Sequence, residues 1–272
     1  MRLLILLGAI LLPFFSVASE IKKTGKSSLI IGGGAGFASL PHYPGADENE
    51  KYFLPIPYVD FVADRFSIND EGLNAKVLNS NLFSLEFDVT GSLPVSSDDN
   101  KSRSGMPDLG FFLEVGPEIS MQLIDNSNHS FSLDLPIRLS FELLGQNKNL
   151  DNKFIQNAGY LLEPSFHYAF KKGLFEIELD AGFIWASHKY QHKFFSVQES
   201  YSSSSRPEFA ARAGKMGNRL STTLKYETDD WLIINYLKFI DLSQGINRNS
   251  PLIKDNSYIL GGIGLIRKFK IW

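Results

Sequence analysis

At 272 residues, 43% apolar and 13% aromatic, the chain is long enough for one large domain or two small ones. It has no cysteine, which excludes disulfides and thiolate chemistry. Its formal charge of −3 comes without a basic block, which argues against a nucleic-acid partner.

The N-terminus has the layout of a secretory signal. Arg2 gives a short positive start, Leu3 to Phe15 an apolar run, and Ser16-Val17-Ala18 or Val17-Ala18-Ser19 a small-residue cleavage site. The run is short of the roughly 20 residues a spanning helix needs, so residues 1–19 are expected to be a signal peptide and 20–272 the mature domain. No later stretch approaches 18 uninterrupted apolar residues. An exported chain without spanning helices enters a membrane only as a closed β-barrel.

Beyond the signal the dominant period is two. From Phe83 the odd positions Phe83, Leu85, Phe87, Val89 and Leu93 oppose Ser84, Glu86, Asp88, Thr90 and Ser92. From Leu109 the apolar set runs through Phe111, Leu113, Val115, Ile119, Met121 and Leu123, against Glu114, Glu118, Ser120 and Gln122. The cleanest example is 131–143, where every odd residue from Phe131 to Leu143 is apolar and Ser132, Asp134, Pro136, Arg138, Ser140 and Glu142 lie between. Side chains alternate across a strand, so this segment has one greasy and one wet face. At about 3.3 Å per residue it spans roughly 43 Å, or about 33 Å of rise at a 40° tilt, enough to cross a bilayer. Phe175 to Trp185 repeats the pattern against Glu176, Glu178 and Asp180, and 154–170 and 208–227 do so more weakly. Segments 28–40, 231–245 and 257–271 are strand-like but mixed. No long amphipathic helix stands out.

Short polar turns at 79–81, 125–128, 171–173 and 228–230 alternate with longer loops near 41–50, 95–106, 145–153, 190–206 and 246–256. Tight periplasmic turns and long outer loops are the layout of an outer-membrane barrel. The rule predicts an all-β fold, a single antiparallel transmembrane β-barrel. Ten strands are preferred: 28–40, 51–79, 81–95, 106–124, 128–145, 153–170, 173–190, 206–227, 230–245 and 256–271. The span 51–79 is long, and its Pro55 and Pro57 belong at bulges or edges. Splitting it would give twelve strands. The loop 191–206 is expected to be mobile and exposed.

Several local patterns resemble the MipA/OmpV family of Gram-negative outer-membrane proteins. They are Ile31-Gly32-Gly33-Gly34-Ala35-Gly36, Tyr43-Pro44-Gly45-Ala46-Asp47, Leu54-Pro55-Ile56-Pro57-Tyr58-Val59-Asp60, Ser250-Pro251-Leu252-Ile253 and Gly261-Gly262-Ile263-Gly264-Leu265. The resemblance spans the mature chain and implies an outer-membrane barrel with no known enzyme activity. It also implies a scaffold role, joining a lytic transglycosylase to a penicillin-binding protein. Other members are described as adhesins or factors in antibiotic susceptibility. Such barrels usually end on a lipid-facing aromatic residue, for which Phe269 is favoured over Trp272.

The candidate lumen charges are Glu86, Asp88, Glu114, Glu118, Asp134, Arg138, Glu142, Glu163, Glu176, Glu178 and Asp180, with Arg219, Lys225, Lys268 and Lys270 as further cations. Ten strands leave little open lumen, so charges there must be paired or hydrated. Two readings stay open: a polar plug that fixes the barrel's shape, or a narrow acidic conduit for small cationic solutes. His188 and His192 have the spacing of a helical metal pair, but at a strand end entering a loop that spacing does not join the rings. His129-Ser130 and His167 with Ser165 supply hydrolase residue types, and as strand neighbours they are not expected to form a nucleophile–base contact. The glycine run 32–36 lacks the following helix of a phosphate loop. Aromatics at segment ends, among them Tyr43, Tyr52, Phe53, Tyr58, Phe154, Tyr160, Trp185, Tyr190, Phe194, Phe195, Trp231, Tyr258 and Phe269, are expected as interfacial girdles. Catalytic, metal and cofactor sites are not expected. The expected function is an outer-membrane scaffold in contact with lipid and murein enzymes, with a surface adhesin or narrow acidic channel as the alternative.

Overall fold

The computed structural model describes residues 28–62, 66–69, 72–75, 78–79, 82–143 and 155–271. The expected signal peptide, the loop 145–153, Phe154 and Trp272 lie outside the described residues. The strands are β1 (Ser28–Pro41), β2 (Asn49–Val62), β3 (Phe66–Asn69), β4 (Gly72–Ala75), β5 (Leu78–Asn79), β6 (Phe83–Ser92) and β7 (Phe111–Asp125). Then come β8 (His129–Leu143), β9 (Ile155–Leu162), β10 (Ser165–Lys172), β11 (Phe175–Ala186), β12 (Gly214–Glu227), β13 (Trp231–Asp241) and β14 (Ser257–Lys270). One α-helix, α1 (His188–Phe195), lies among the described residues, with short 3-10 turns at Ser97–Asp99 and Glu199–Tyr201.

All fourteen strands belong to one sheet of antiparallel pairs. The first strand pairs with the last along ten residues, from Ile30↔Lys270 to Ser39↔Gly261. At the other end of the order β4 lies beside β6, and β5 pairs with it, so the sheet meets itself. The result is a barrel. Of the fourteen strands, β3, β4 and β5 are short, and β9 and β10 form one span interrupted at Glu163-Pro164. Setting those three aside and merging that pair leaves ten long crossings among the described residues.

The segment 51–79 accordingly divides. Residues 49–62 make a full crossing, and β3 to β5 bridge β2 and β6 at the turn end of the wall, through Phe61 and Val62 of β2 and Ser84 and Leu85 of β6. Beyond β1, β2 pairs only through Phe61 and Val62 with β3, so most of its second edge has no strand partner among the described residues. That is the setting in which a strand tolerates Pro55 and Pro57.

Alternation sorts the two faces. Phe37, Phe53, Phe166, Phe175 and Ile259 point outward, each 57–65% exposed, with Leu139, Leu220, Leu237, Ile263 and Leu265 in the same belt. Their polar neighbours point inward: Ser132, Asp134, Arg138, Ser140 and Glu142 of β8 are all buried. An apolar exterior around a charged interior inverts a water-soluble sandwich and suits hydrocarbon outside. The chain is a transmembrane β-barrel.

Phe269 lies on the outward face in frame with Ile263 and Leu265. Arg267, also outward, sits over the rings of Trp231 (5.6 Å) and Phe269 (5.3 Å), a cation–π arrangement that shields its charge.

Two apolar clusters bracket the polar middle. At the turn end Tyr58, Leu232 and Ile266 pack inside the barrel with Ile30 and Ile56. At the loop end a larger cluster joins Phe112, Leu161, Ile184, Phe194, Phe195, Leu242 and Leu252.

Candidate functional site

The polar middle is organised around Arg138 of β8. Its Nε donates to Asp88 Oδ2 at 2.5 Å, Nη2 meets the same carboxylate, and Nη1 stands 3.3 Å from Glu163 Oε2. Arg219 of β12 reaches the same Glu163 oxygen at 3.5 Å. Glu163 stands at the break between β9 and β10, where Pro164 ends the ladder. Lys225 pairs with the fully buried Glu178 at 3.5 Å, Lys171 with Glu176 at 2.9 Å, and Lys268 with Glu227 at 2.6 Å. Glu142 takes the Gly110 N–H at 3.0 Å and pairs with Lys193.

Glu86 and Glu118 stand opposite each other on β6 and β7, both half-buried. Glu114, Glu118, Asp134, Arg138, Glu163 and Asp180 line a cavity of about 230 Å³, together with His167, Arg219 and Lys238. Lys238 was missed by the sequence reading because β13 does not alternate cleanly. The terminal Lys270 is exposed.

His167 and Ser165, two residues apart, both face the interior, which corrects the expectation that they would part. They still form no nucleophile–base pair. Arg219 Nη2 donates to Ser165 Oγ at 2.7 Å, and His167 Nδ1 lies 3.1 Å from Asp180 Oδ1. His129 is exposed at the turn end, with Nδ1 2.8 Å from Tyr168 Oη.

The mouth at the loop end is covered. The strand predicted to run to 190 stops at Ala186, and α1 begins at His188. On α1, Tyr190, Gln191, Phe194 and Phe195 are buried and pack toward Phe112 and Tyr43. Gly159 (φ +109°) lets α1 approach β9; a Cβ there would come within 2.9 Å of the Tyr190 nitrogen. The loop 191–206 is therefore partly buried rather than mobile and exposed throughout, because its aromatics have an apolar surface to cover. The run Ser202 to Ser205 stays exposed. His188 and His192 sit on this helix with rings 5.6 Å apart, so the expectation of separate loop residues is corrected. Burial, then the neighbouring His188, holds His192 below the usual histidine range.

Four loops interlock over the mouth. Tyr43 Oη donates to Leu252 O at 2.8 Å, and burial pushes that hydroxyl up to about 12, so it remains a donor at neutral pH. Arg206 Nη1 donates to Ser102 O (2.9 Å) and Ser104 O (3.0 Å), Arg103 Nη1 to Lys193 O (3.4 Å), and Ser250 Oγ to Phe195 O (2.6 Å). Beneath them a cavity of about 130 Å³ is lined by Tyr52, Leu93, Leu109, Phe112, Phe194 and Tyr258. Tyr43, Tyr58, Tyr190, Phe194, Phe195 and Tyr258 thus leave the expected girdle for the interior, whereas Phe53, Tyr160, Trp231 and Phe269 remain outside.

Gln191 is the keystone of this cover. Its amide donates to Ala186 O (3.1 Å) and Gly214 O (2.9 Å), and its oxygen accepts from Asn247 Nδ2 (2.5 Å), with no exposed surface. Gln191→Ala strands these groups at about 1–3 kcal/mol. Limited proteolysis of the micelle-embedded protein should then cut within 187–213 at least several-fold faster than in wild type. Equal cleavage rates would show that the cover does not depend on Gln191.

A family model described as MltA-interacting protein MipA matches residues 33–269. No curated protein matches the chain. Among solved structures, a bacterial polysaccharide outer membrane secretin aligns at 8% identity with a TM-score of 0.42, covering 91% of this chain and 99% of that one. The outer membrane channel DcaP of Acinetobacter baumannii aligns at 9% identity and TM-score 0.35, covering 93% and 100%. The outer membrane protease OmpT from Escherichia coli aligns at 9% and 0.33, covering 93% and 99%.

Proposed function

The chain belongs to the MltA-interacting protein MipA family, and on that premise we propose that it is a non-enzymatic scaffold. In this reading it gathers a lytic transglycosylase and a penicillin-binding protein at the periplasmic end of the barrel. The observation that carries the reading is the filled interior: buried ion pairs in the middle, with an apolar cluster on either side. Such a barrel is a rigid platform in the membrane. Its short turns, such as 126–128 and 228–230, set the docking surface at the end of the barrel where β1 begins.

A second reading is favoured by the cavity of about 230 Å³ and its carboxylates Glu114, Glu118 and Asp134. It makes the protein a narrow path for small cationic solutes. Crosslinking in intact cells with mass spectrometry, run beside planar-bilayer recording, separates the two. The scaffold predicts murein enzymes attached near the turns and a silent bilayer. Cation-selective steps that weaken in Glu114→Gln or Glu118→Gln, with no murein enzyme recovered, would replace it by the conduit.

A further inference from the structure

Three side chains from three strands converge inside the barrel. Asp134 comes from β8, His167 from β10 and Asp180 from β11, and one ligand atom of each lies within 4.8 Å of the others. β10 is hydrogen-bonded to both neighbours, with His167 opposite Asp180 on one side and Ser132 on the other, two residues from Asp134. The convergence is therefore fixed by strand register rather than by flexible loops.

The group is also unsatisfied. His167 is 3% exposed and Asp134 6%, yet His167 Nε2 and Asp134 Oδ1 have no hydrogen-bond partner among the described residues. A buried polar atom without a partner is costly, so one that persists calls for an explanation such as a bound ion. All three residues line the cavity of about 230 Å³, which leaves room beside them for an ion and its waters. Ser221 Oγ donates to Asp180 Oδ2 at 3.2 Å, the kind of outer contact that orients a ligating carboxylate.

We propose that Asp134, His167 and Asp180 form a binding site for a divalent transition-metal ion, Zn²⁺ foremost, inside the barrel wall. Two carboxylates and a neutral imidazole neutralise a dication, and the imidazole selects against Ca²⁺ and Mg²⁺, which prefer all-oxygen sites. The bound ion ties β8, β10 and β11 together on the inner face. It stabilises the folded barrel because the unfolded chain has no such site. This site is independent of the scaffold reading, since it needs no partner protein.

The test uses the full-length protein refolded in detergent micelles and stripped with chelator. His188 and His192, the helical pair on α1, are a second place for a metal to land, so titrations begin in His188→Ala/His192→Ala protein. Isothermal titration with Zn²⁺ alone, and separately with Mn²⁺, should show one saturable equivalent per chain and a raised midpoint of thermal unfolding. His167→Ala should weaken that equivalent at least tenfold, and Asp134→Asn and Asp180→Asn likewise, with the barrel's circular dichroism unchanged. Cobalt loading of the same protein should give visible bands of mixed nitrogen and oxygen ligation, a readout that needs no further variant. No stoichiometric uptake in the His188→Ala/His192→Ala protein would overturn the site. So would an equivalent that survives His167→Ala.

Discussion

Arg138→Met should cost the folded barrel about 3–5 kcal/mol, the range for leaving buried partners of a removed charge uncompensated. Arg138 satisfies two carboxylates at once, Asp88 through Nε and Nη2 and Glu163 through Nη1. All three side chains are at most 10% exposed, so solvent does little to screen the loss. Glu163 keeps Arg219, but Asp88 has no second cation among the ion pairs of the described residues. The penalty therefore falls mainly on Asp88. Desolvation of three ions opposes the pairing in wild type, so the network specifies geometry more than it adds net stability. This distinction has a measurable consequence: Asp88→Asn combined with Arg138→Met should recover a large part of the loss. Equilibrium urea unfolding in micelles, followed by tryptophan fluorescence, reads both variants. A loss under about 1 kcal/mol for Arg138→Met, or strict additivity in the double variant, would show that water rather than Arg138 satisfies Asp88.

The same network explains which parts of the fold were legible in the sequence. Strands β6, β7, β8 and β11 alternate visibly because their inner face meets charge and water. Their acids could be assigned to one face from period alone. Strands β1, β13 and β14 read as mixed because their inner positions are also apolar or glycine: Ile30, Leu232 and Ile266 pack together inside the barrel, and Ile234 is buried as well. An apolar inner face erases the period without removing the strand. Lys238 was lost for that reason.

The loop ends were misjudged for a different one. Residues 188–195 carry no capping box and too few turns to show a period, and α1 exists because Phe194 and Phe195 have a surface to cover. No spacing along the chain could have joined Asp134, His167 and Asp180, because only the pairings β8–β10 and β10–β11 bring them together. The family-like motifs, by contrast, fall on joints of the structure. Tyr43 of one motif holds Leu252 of another, 209 residues away, and Lys254 N donates to Gly45 O at 2.8 Å beside them. Gly36 of the first strand pairs with Gly264 of the last.

That last joint carries the second large expected effect: Gly34→Ala should lower the yield of folded barrel sharply, whereas Gly33→Ala, one residue away, should leave it near wild type. Alternate glycines Gly32, Gly34 and Gly36 turn their absent side chains toward the backbone of β14. A Cβ on Gly34 would collide with Leu265 O and stand 2.7 Å from Ile266 Cα, and one on Gly36 would stand 2.7 Å from Ile263 O. These obstacles are backbone, so no rotamer change relieves them, and β1 would have to draw away from β14 across the strand pair that closes the barrel. A Cβ on Gly33 points the other way and meets only Ile56 O at 4.0 Å. Overpacking in a core costs about 1–3 kcal/mol, and here the strain also falls on the first-to-last pairing that every closed barrel requires. The loss of glycine's unfolded-state entropy works in the opposite direction in both variants, by about 0.4–1 kcal/mol, so it cancels in the comparison. Refolding yield into micelles and the urea midpoint should separate the two alanines clearly. Equal values for Gly33→Ala and Gly34→Ala would mean that β1 and β14 have slack at the seam, and that the glycine run serves curvature rather than close approach.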